Sequence, residues 1–152
     1  MIALADLRKK NLAELELLWR DAPAGPPPLG RFRGTFLHWV DSAGARKLHV
    51  RAIDTPLFVL SPFGVDFDAR AWWFFHPRLL VGRFDLTAGR SRWRETAAQQ
   101  LHYGASKLPG PVKGLLYDEV KQLDDDLVLG LGGLNAGPGQ GDHFLFALSR
   151  LC

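Results

Sequence analysis

The chain has 152 residues, a length typical of one domain, and a net charge of +3. Hydrophobic residues make up 47% of it and charged residues 23%, which excludes a disordered or fibrous protein. No apolar run approaches the about 20 residues that span a bilayer, and the first residues are too charged for a signal peptide. The single cysteine, Cys152, excludes a disulfide or a Cys-based metal site within the chain. We therefore expect a cytoplasmic protein of one domain, residues 1–152, without a membrane span.

Basic residues are concentrated in the middle of the chain. Residues 31–94 carry eleven Lys and Arg against five Asp, whereas residues 95–152 carry four basic against seven acidic residues. This distribution would suit an interaction module for an acidic partner or nucleic acid. The arginines alternate singly with apolar residues, however, as in Arg31-Phe32-Arg33, and this pattern is typical of the solvated face of a strand. Nucleic acid is therefore not the favoured partner.

The N-terminal segment has helical periodicity. Apolar residues recur at three- and four-residue steps over residues 4–20, which predicts one amphipathic helix. Residues 21–29 contain four prolines, and proline both fixes φ and lacks a backbone donor. This segment is therefore predicted to end the helix and to form a stiff connector.

From Gly30 onwards the period changes to two, which indicates strands. The first strand is predicted to place Phe32, Phe36, His38 and Val40 on one side. Turns are predicted at 41–44, 87–90 and 124–126, and further strands at 45–53, 57–60, 71–76, 78–86, 91–96, 99–103, 115–123, 127–134 and 143–151. Short, evenly spaced strands predict a mainly β fold, an antiparallel up-and-down β-barrel of about eight to ten strands over 30–151 with an N-terminal α-helix, because closure removes the exposed edges of a sheet.

The apolar faces of these strands are rich in aromatic residues. The predicted inward set is Phe32, Phe36, Trp72, Phe74, Phe84, Trp93, Tyr103, Phe144 and Phe146. Glycines that permit bends or close ligand approach inside strands are Gly34, Gly82, Gly130 and Gly132. A small barrel is either filled by its own side chains or holds one small ligand, and the aromatic set is compatible with both. As walls of a ligand site we favour Phe36, Trp72, Phe74 and Tyr103.

Two polar residues are candidates for orienting a ligand. His38 shares the predicted inward face of the first strand, as either a hydrogen-bonded core residue or a ligand contact. Arg78 follows His76-Pro77, which is either a plain surface turn or the rim of the barrel. At a rim, the Arg78 guanidinium would bind the carboxylate of a ligand through two hydrogen bonds.

A phenol and two carboxyl groups are adjacent in Tyr117-Asp118-Glu119. Because side chains alternate along a strand, Tyr117 and Glu119 share one face, so only one of the two acids can point inward. A buried carboxyl group has a raised pKa and can act as a general acid or base. The catalytic candidates are therefore His38, Tyr117 and Glu119, although acids in such positions are more often exposed or paired with arginines.

The two ends of the chain resemble lipocalin-like (calycin-type) barrels. A helix runs into Leu29-Gly30-Arg31-Phe32-Arg33-Gly34, which is similar to the GXWXG element of small bacterial lipocalin-like domains, with Phe32 in place of the tryptophan. The runs Tyr117-Asp118-Glu119, Asp124-Asp125-Asp126 and Phe144-Leu145-Phe146-Ala147-Leu148-Ser149-Arg150 are similar to the C-terminal halves of those domains. The resemblance implies a barrel that binds a small hydrophobic molecule, with Arg150 packed on Phe32, and it implies no reaction.

Three functions remain open at this point. The first is the binding of a small hydrophobic ligand inside the barrel. The second is a barrel enzyme, such as a cyclase, isomerase or lyase acting on an apolar substrate. The third is the Arg-rich interaction module. We expect no cofactor and no metal; a haem site that uses His143 is the alternative, but the early glycine–tyrosine motif of nitrobindin-like barrels is absent. The oligomeric state is left open.

Overall fold

The computed structural model describes residues 2–40, 61–137 and 140–151. The turn predicted at 41–44 and the strands predicted at 45–53 and 57–60 lie outside the described residues. The three described helices are α1 (Leu4–Lys9), α2 (Leu12–Asp21) and α3 (Gly110–Leu115). The described strands are β1 (Arg31–Val40), β2 (Phe63–Asp66), β3 (Ala71–Phe74), β4 (Leu80–Arg83), β5 (Asp85–Arg90), β6 (Ala97–His102), β7 (Leu116–Asp124), β8 (Leu127–Gly137) and β9 (Gln140–Arg150).

These nine described strands form one antiparallel sheet that curls into a nearly closed barrel. Their order is β4-β3-β2-β1-β9-β8-β7-β6-β5, so the first strand pairs with the last and the remaining pairs join neighbours in sequence. The two ends of this order, β4 and β5, are separated in the chain by Phe84 alone, whose N–H donates to the carbonyl of Arg70 at 2.9 Å. The mainly β, antiparallel barrel predicted from the strand spacing is therefore confirmed.

The N-terminal helical segment is divided into two helices. Helix α1 ends at Lys9, and Asn11 begins α2 by accepting a hydrogen bond from the Glu14 N–H at 3.0 Å. The Glu14 carboxylate in turn accepts from the Asn11 N–H at 2.8 Å, which completes a capping box. The single helix predicted over 4–20 was wrong at this point because a capping box inside the periodic pattern starts a new helix.

Residues 87–96 differ from their predicted structure. The turn predicted at 87–90 was wrong, since these residues belong to β5, which pairs with β6 in a regular register. The strand predicted at 91–96 was also wrong, because backbone N–H groups of this segment donate hydrogen bonds to side chains. The Arg92 N–H donates to the Glu119 carboxylate at 2.7 Å, and the Trp93 N–H donates to Ser91 Oγ at 3.2 Å.

A bulge in β1 changes which side chains face inward. Phe36 pairs with Phe146, but the next partner pair is His38 with Leu145, so Leu37 is an extra residue in the ladder. After it, Trp39 packs against the interior and His38 is exposed. The predicted inward orientation of His38 was therefore wrong, because one inserted residue reverses the alternation.

The barrel wall separates two apolar cores. The interior cluster contains the buried residues Phe32, Phe63, Val65, Phe67, Trp72, Phe84, Leu101, Tyr103, Val120, Val128, Phe144, Phe146 and Leu148. The outer cluster contains Leu7, Leu15, Trp19, Val40, Trp93, Ala98, Tyr117, Leu127, Leu129, Leu131, Leu145 and Ala147. Helices α1 and α2 therefore cover the outer face of β7, β8 and β9. Trp93 lies in the outer cluster beside Trp19, at 6.5 Å between ring centroids, so its predicted inward position was wrong.

The proline-rich connector packs against one end of the barrel. Gln99, the cross-strand partner of the interior residue Val120, donates to the carbonyl of Gly25 at 2.8 Å. At the same end, Arg150 donates to the carbonyl of Leu29 at 3.0 Å. The connector therefore follows α2 across this end of the barrel and leads directly into β1.

Candidate functional site

One layer of side chains runs around the interior at a single register position. The residues of this layer pair successively across β1, β9, β8, β7, β6 and β5, and they are Trp39, Phe144, Gly132, Asp118, Leu101 and Leu86. Five of the six are apolar, and the sixth is a carboxylic acid. Asp118 is therefore the one ionisable side chain of this layer.

Asp118 is connected to the opposite wall of the barrel by hydrogen bonds. Trp72 on β3 donates its indole N–H to Tyr103 Oη at 2.6 Å, and Tyr103 donates its hydroxyl to Asp118 Oδ2. In the sheet order β3 and β7 are five strands apart, so the two bonds cross the interior. All three side chains are buried. We call Trp72, Tyr103 and Asp118 the interior relay.

Burial controls the protonation of the interior relay. Removal of Asp118 from water, together with the nearby Glu119, raises its pKa from 3.8 to about 8 against the opposing effect of the hydrogen bond from Tyr103. Burial and the Asp118 charge likewise raise the pKa of Tyr103 well above its usual value. At neutral pH the interior relay is therefore mainly uncharged.

A cavity of about 260 Å³ opens beside the interior relay. It lies where β6 and β7 separate: their pairing ends at Leu101 with Asp118, and the chain beyond forms the loop and α3. Tyr103 and Asp118 line its inner side, and Arg92 and Lys113 are among its outer lining. The lining of the cavity thus includes basic side chains and the buried carboxylic acid.

The interior also retains apolar surface that is not fully covered. Five residues pack against the interior cluster but are only half-buried: Phe36, Trp39, Phe74, Leu86 and Leu116. Two of them, Phe36 and Trp39, form a continuous aromatic wall with the buried Phe144, at 5.4 to 6.2 Å between ring centroids. We call these five half-buried residues the interior apolar patch.

Tyr117 and Glu119 face the other side of the wall, as their alternation with Asp118 predicts. Glu119 is fully buried beneath the 91–96 segment, where Ser91 Oγ donates to it at 2.5 Å. Burial raises its pKa, and the Ser91 bond opposes this. The Tyr117 hydroxyl is hydrogen-bonded to Nδ1 of His143, which is buried on the same outer side. Asp118 and Glu119 are thus both buried, whereas acids in such positions are more often exposed.

The structure brings together four of the predicted ligand contacts and separates the others. Phe36, Trp72, Phe74 and Tyr103 all lie in or against the interior cluster. Arg78 is exposed in the turn between β3 and β4, and His38 is exposed on β1. The three catalytic candidates, His38, Tyr117 and Glu119, are not brought together around the interior.

Several residues that define this site were not among the site residues predicted from the sequence. They are Asp118, Trp39, Leu86 and Leu116 from the interior, and Arg92 and Lys113 from the cavity. The alternation of β7 already allowed an inward Asp118, and the apolar Val120 two residues further on was the signal for that orientation. No pattern in the sequence indicated the bulge that turns Trp39 inward.

The first and last strands are held together as the resemblance implied. The Arg150 guanidinium lies over the Phe32 ring at 4.9 Å from its centroid. It also donates to Asp126 Oδ1 and to the carbonyl of Asp125, both at 2.9 Å from Nε. This contact joins the end of β9 to the start of β1 and to the acidic turn before β8.

The described residues form neither a metal-binding cluster nor a helix that could cross a membrane. They contain no group of three or more His, Cys, Asp or Glu side chains arranged to hold a metal ion. None of the helices in the described part of the chain is both long and apolar enough to cross a membrane.

Comparison with known proteins supports the fold. No protein-family model matches the chain, and no curated protein matches it. Among solved structures, the chain is similar to a protein from Thermomonospora curvata, with 21% sequence identity and a TM-score of 0.55. The match covers 98% of this chain and 93% of the other. At this identity the likeness shows the fold alone, a nearly closed antiparallel barrel.

Proposed function

We propose that this protein binds a small hydrophobic molecule inside its barrel, as lipocalin-like barrels do. The observation that carries the proposal is the interior apolar patch: five apolar side chains face the inside of a barrel yet remain half-buried. Apolar surface left accessible in a concave site is what a hydrophobic ligand covers. Each square ångström covered contributes about 25 cal/mol.

The position of the patch supports this function. The patch adjoins both the fully buried aromatic core and the cavity, because Leu116 lines the cavity and Leu86 pairs with another lining residue, Leu101. A ligand on the patch would therefore contact aromatic walls on one side and the interior relay on the other. Apolar walls with a few polar groups are the usual composition of small-molecule sites.

The way in which the barrel is held together is also consistent with the lipocalin-like proposal. The Arg150–Phe32 contact and the connector both lie at the end where β1 starts and β9 ends. The interior apolar patch includes Trp39, near the other end of β1. A barrel braced at one end and accessible near the other can admit a ligand without opening its wall.

The test is a titration with N-phenyl-1-naphthylamine, an uncharged probe whose fluorescence rises in apolar surroundings. Phe74→Glu introduces a charge into the patch, and Phe75→Glu makes the same change at the adjacent residue, which is 63% exposed. We expect the wild-type protein and Phe75→Glu to bind the probe equally. Phe74→Glu is expected to weaken binding about tenfold or more, since burying a carboxylate against the ligand is costly.

Circular dichroism of all three proteins serves as the control for folding. Equal probe binding by the folded Phe74→Glu and Phe75→Glu variants would contradict an interior site. Absence of probe binding by the wild-type protein would contradict the proposal as a whole.

A further inference from the structure

We infer that Asp118 donates a hydrogen bond to the ligand, so that the interior site selects apolar molecules that carry a carbonyl oxygen. This inference rests on the proposed function and names the chemistry of its ligand. Four observations carry it: the direction of the hydrogen bonds in the interior relay, the close packing of Asp118 against Gly132 and Phe144, the burial of Asp118 and the adjoining cavity.

The bonds of the interior relay fix which oxygen of Asp118 is engaged. The Trp72 N–H can only donate, and it occupies an acceptor position on Tyr103 Oη. The Tyr103 hydroxyl then donates to Oδ2 of Asp118. An uncharged Asp118 therefore carries its proton on Oδ1, and among the described residues Oδ1 has no hydrogen-bond acceptor.

A glycine allows Oδ1 to lie against the aromatic wall. Gly132 is the cross-strand neighbour of Asp118, and a Cβ at this position would lie 2.5 Å from Asp118 Oδ1 and 2.7 Å from the Phe144 ring. Any side chain there would displace one of the two. The residue without a side chain thus lets the acid and the aromatic wall lie side by side, and a ligand that contacts both needs an apolar body and one polar atom.

Burial and the neighbouring Glu119 favour the protonated form of Asp118. Tyr103 contacts it directly and is itself uncharged over the physiological range, while Glu119 on the same strand raises the pKa of Asp118. The cavity lining also includes Arg92, Lys113 and His102, and the His102 ring is hydrogen-bonded to the Thr87 hydroxyl. Burial outweighs these groups, and Asp118 stays a donor until the pH rises to about 8.

A carbonyl ligand suits this site better than a cation or a hydrocarbon. A protonated acid in an apolar layer donates strongly to a neutral oxygen, and a hydrocarbon would leave that donor without a partner. An ammonium group would need Asp118 to ionise inside the interior apolar layer, at the cost that burial already imposes on its carboxylate.

The test uses three probes with the same carbon skeleton: 4-phenylbutan-2-one, its hydrocarbon analogue butylbenzene, and the amine 4-phenylbutan-2-amine. Each displaces N-phenyl-1-naphthylamine from the wild-type protein, from Asp118→Leu and from Asp118→Asn. The quantity compared is the ratio of the butylbenzene to the ketone inhibition constant. We expect Asp118→Leu to lower this ratio about fivefold at pH 6.5, the usual value of one hydrogen bond.

The pH dependence separates a proton donor from a mere change of shape. In the wild-type protein the ratio should fall between pH 6.5 and pH 9.5, as Asp118 loses its proton. Asp118→Asn keeps a donor that does not titrate, so its ratio should stay constant. The infrared C=O stretch of carbonyl-¹³C-labelled ketone should lie at lower frequency in wild-type protein than in Asp118→Leu, because a hydrogen bond weakens the carbonyl bond.

The outcomes distinguish this inference from the function on which it rests. If N-phenyl-1-naphthylamine binds but the ratio is the same in wild-type protein and Asp118→Leu, the barrel has an interior site and the role of Asp118 is refuted. The proposed role of Asp118 is also refuted if the amine binds most tightly of the three probes, which would identify Asp118 as a counter-ion. If the naphthylamine itself fails to bind, both the proposed function and this inference are overturned.

Discussion

Asp118 and Glu119 are neighbours in the sequence but lie on opposite sides of the barrel wall. Glu119 accepts hydrogen bonds from Ser91 and from the Arg92 backbone, whereas Asp118 is held by one phenol in an apolar layer. The alternation of a strand predicts this division, because successive side chains point to opposite faces. The apolar Val120 indicates that Asp118 is the acid that faces the interior, because residues two apart in a strand share a face.

The raised pKa of Asp118 makes the stability of the protein depend on pH. Between about pH 4 and pH 8 the folded protein keeps this proton while the unfolded chain has lost it, so the free energy of unfolding falls as the pH rises. Above about pH 8 both states are ionised and the fall ends. In this pH range, Asp118→Asn should reduce the slope of the free energy of unfolding against pH by up to about 1.4 kcal/mol per pH unit.

Guanidinium denaturation of both proteins at several pH values between 4 and 9 measures this difference. Parallel curves for the wild-type protein and Asp118→Asn would contradict the assignment of a buried, protonated acid at this position.

Gly30 has a backbone conformation that other residues rarely adopt. Its φ is +91°, and a Cβ there would lie 2.5 Å from Nη1 of Arg150. We expect Gly30→Ala to lower the free energy of unfolding by about 1–3 kcal/mol, from backbone strain and from displacement of Arg150. Gly104→Ala is the matched control, since a Cβ at that position has no neighbour within 4 Å. Equal stability of the two variants, measured by denaturation, would refute this role of Gly30.

At the scale of elements, the helices and the barrel wall depend on each other. The strands β8 and β9 carry buried apolar side chains on both faces, and the outer face is covered by α2 through Leu15 and Trp19. The spacing of apolar residues in the N-terminal segment predicted such a buried stripe. The division into α1 and α2 depends on the Asn11 capping box, a local signal that the longer periodicity masked.

A pair of leucines in α2 tests this packing. Leu15 is completely buried and Leu17 is 49% exposed, so the same truncation removes different amounts of packing. We expect Leu15→Ala to destabilise the protein by about 2–5 kcal/mol. Leu17→Ala should change its stability by about 0.5 kcal/mol or less. Similar midpoints of thermal unfolding for both variants would mean that α2 does not pack on the barrel as described.

Two differences between the predicted and the observed elements have different causes. The segment 91–96 has the alternation of a strand, yet its backbone donors bond to Glu119 and Ser91, which come from β7 and from the segment itself. Helix α3 was not foreseen because Pro109-Gly110-Pro111 resembles an interruption, although proline is well suited to the first turn of a helix. Contacts distant in sequence decided the first case and local geometry the second.

At the scale of the whole molecule, the number and spacing of strands were sufficient to predict a closed antiparallel barrel. Closure requires the first strand to meet the last, and the Arg150–Phe32 contact lies at that junction. The identity of the inward aromatic residues also followed from alternation along most strands. One exception was β1, where the extra residue Leu37 exposes His38 and brings Trp39 to the interior. The other was Trp93, which lies in the outer cluster.

The accessible part of the interior could not be derived from the sequence, because it depends on how the rings pack. Phe146 lies on Gly130 and Phe63 on Gly34, so two strand glycines that might have left empty space are covered by aromatic rings. The interior apolar patch and the cavity beside Asp118 are what remains accessible between such contacts.

The most direct test of the central claim is a crystal structure of the protein with a brominated hydrophobic probe, 1-bromonaphthalene, located by the anomalous scattering of its bromine. The account predicts a bromine position inside the barrel, in contact with Phe36, Trp39 or Phe74 of the interior apolar patch. A bromine position confined to the outer surface, or a barrel that stays empty at saturating probe, would contradict it.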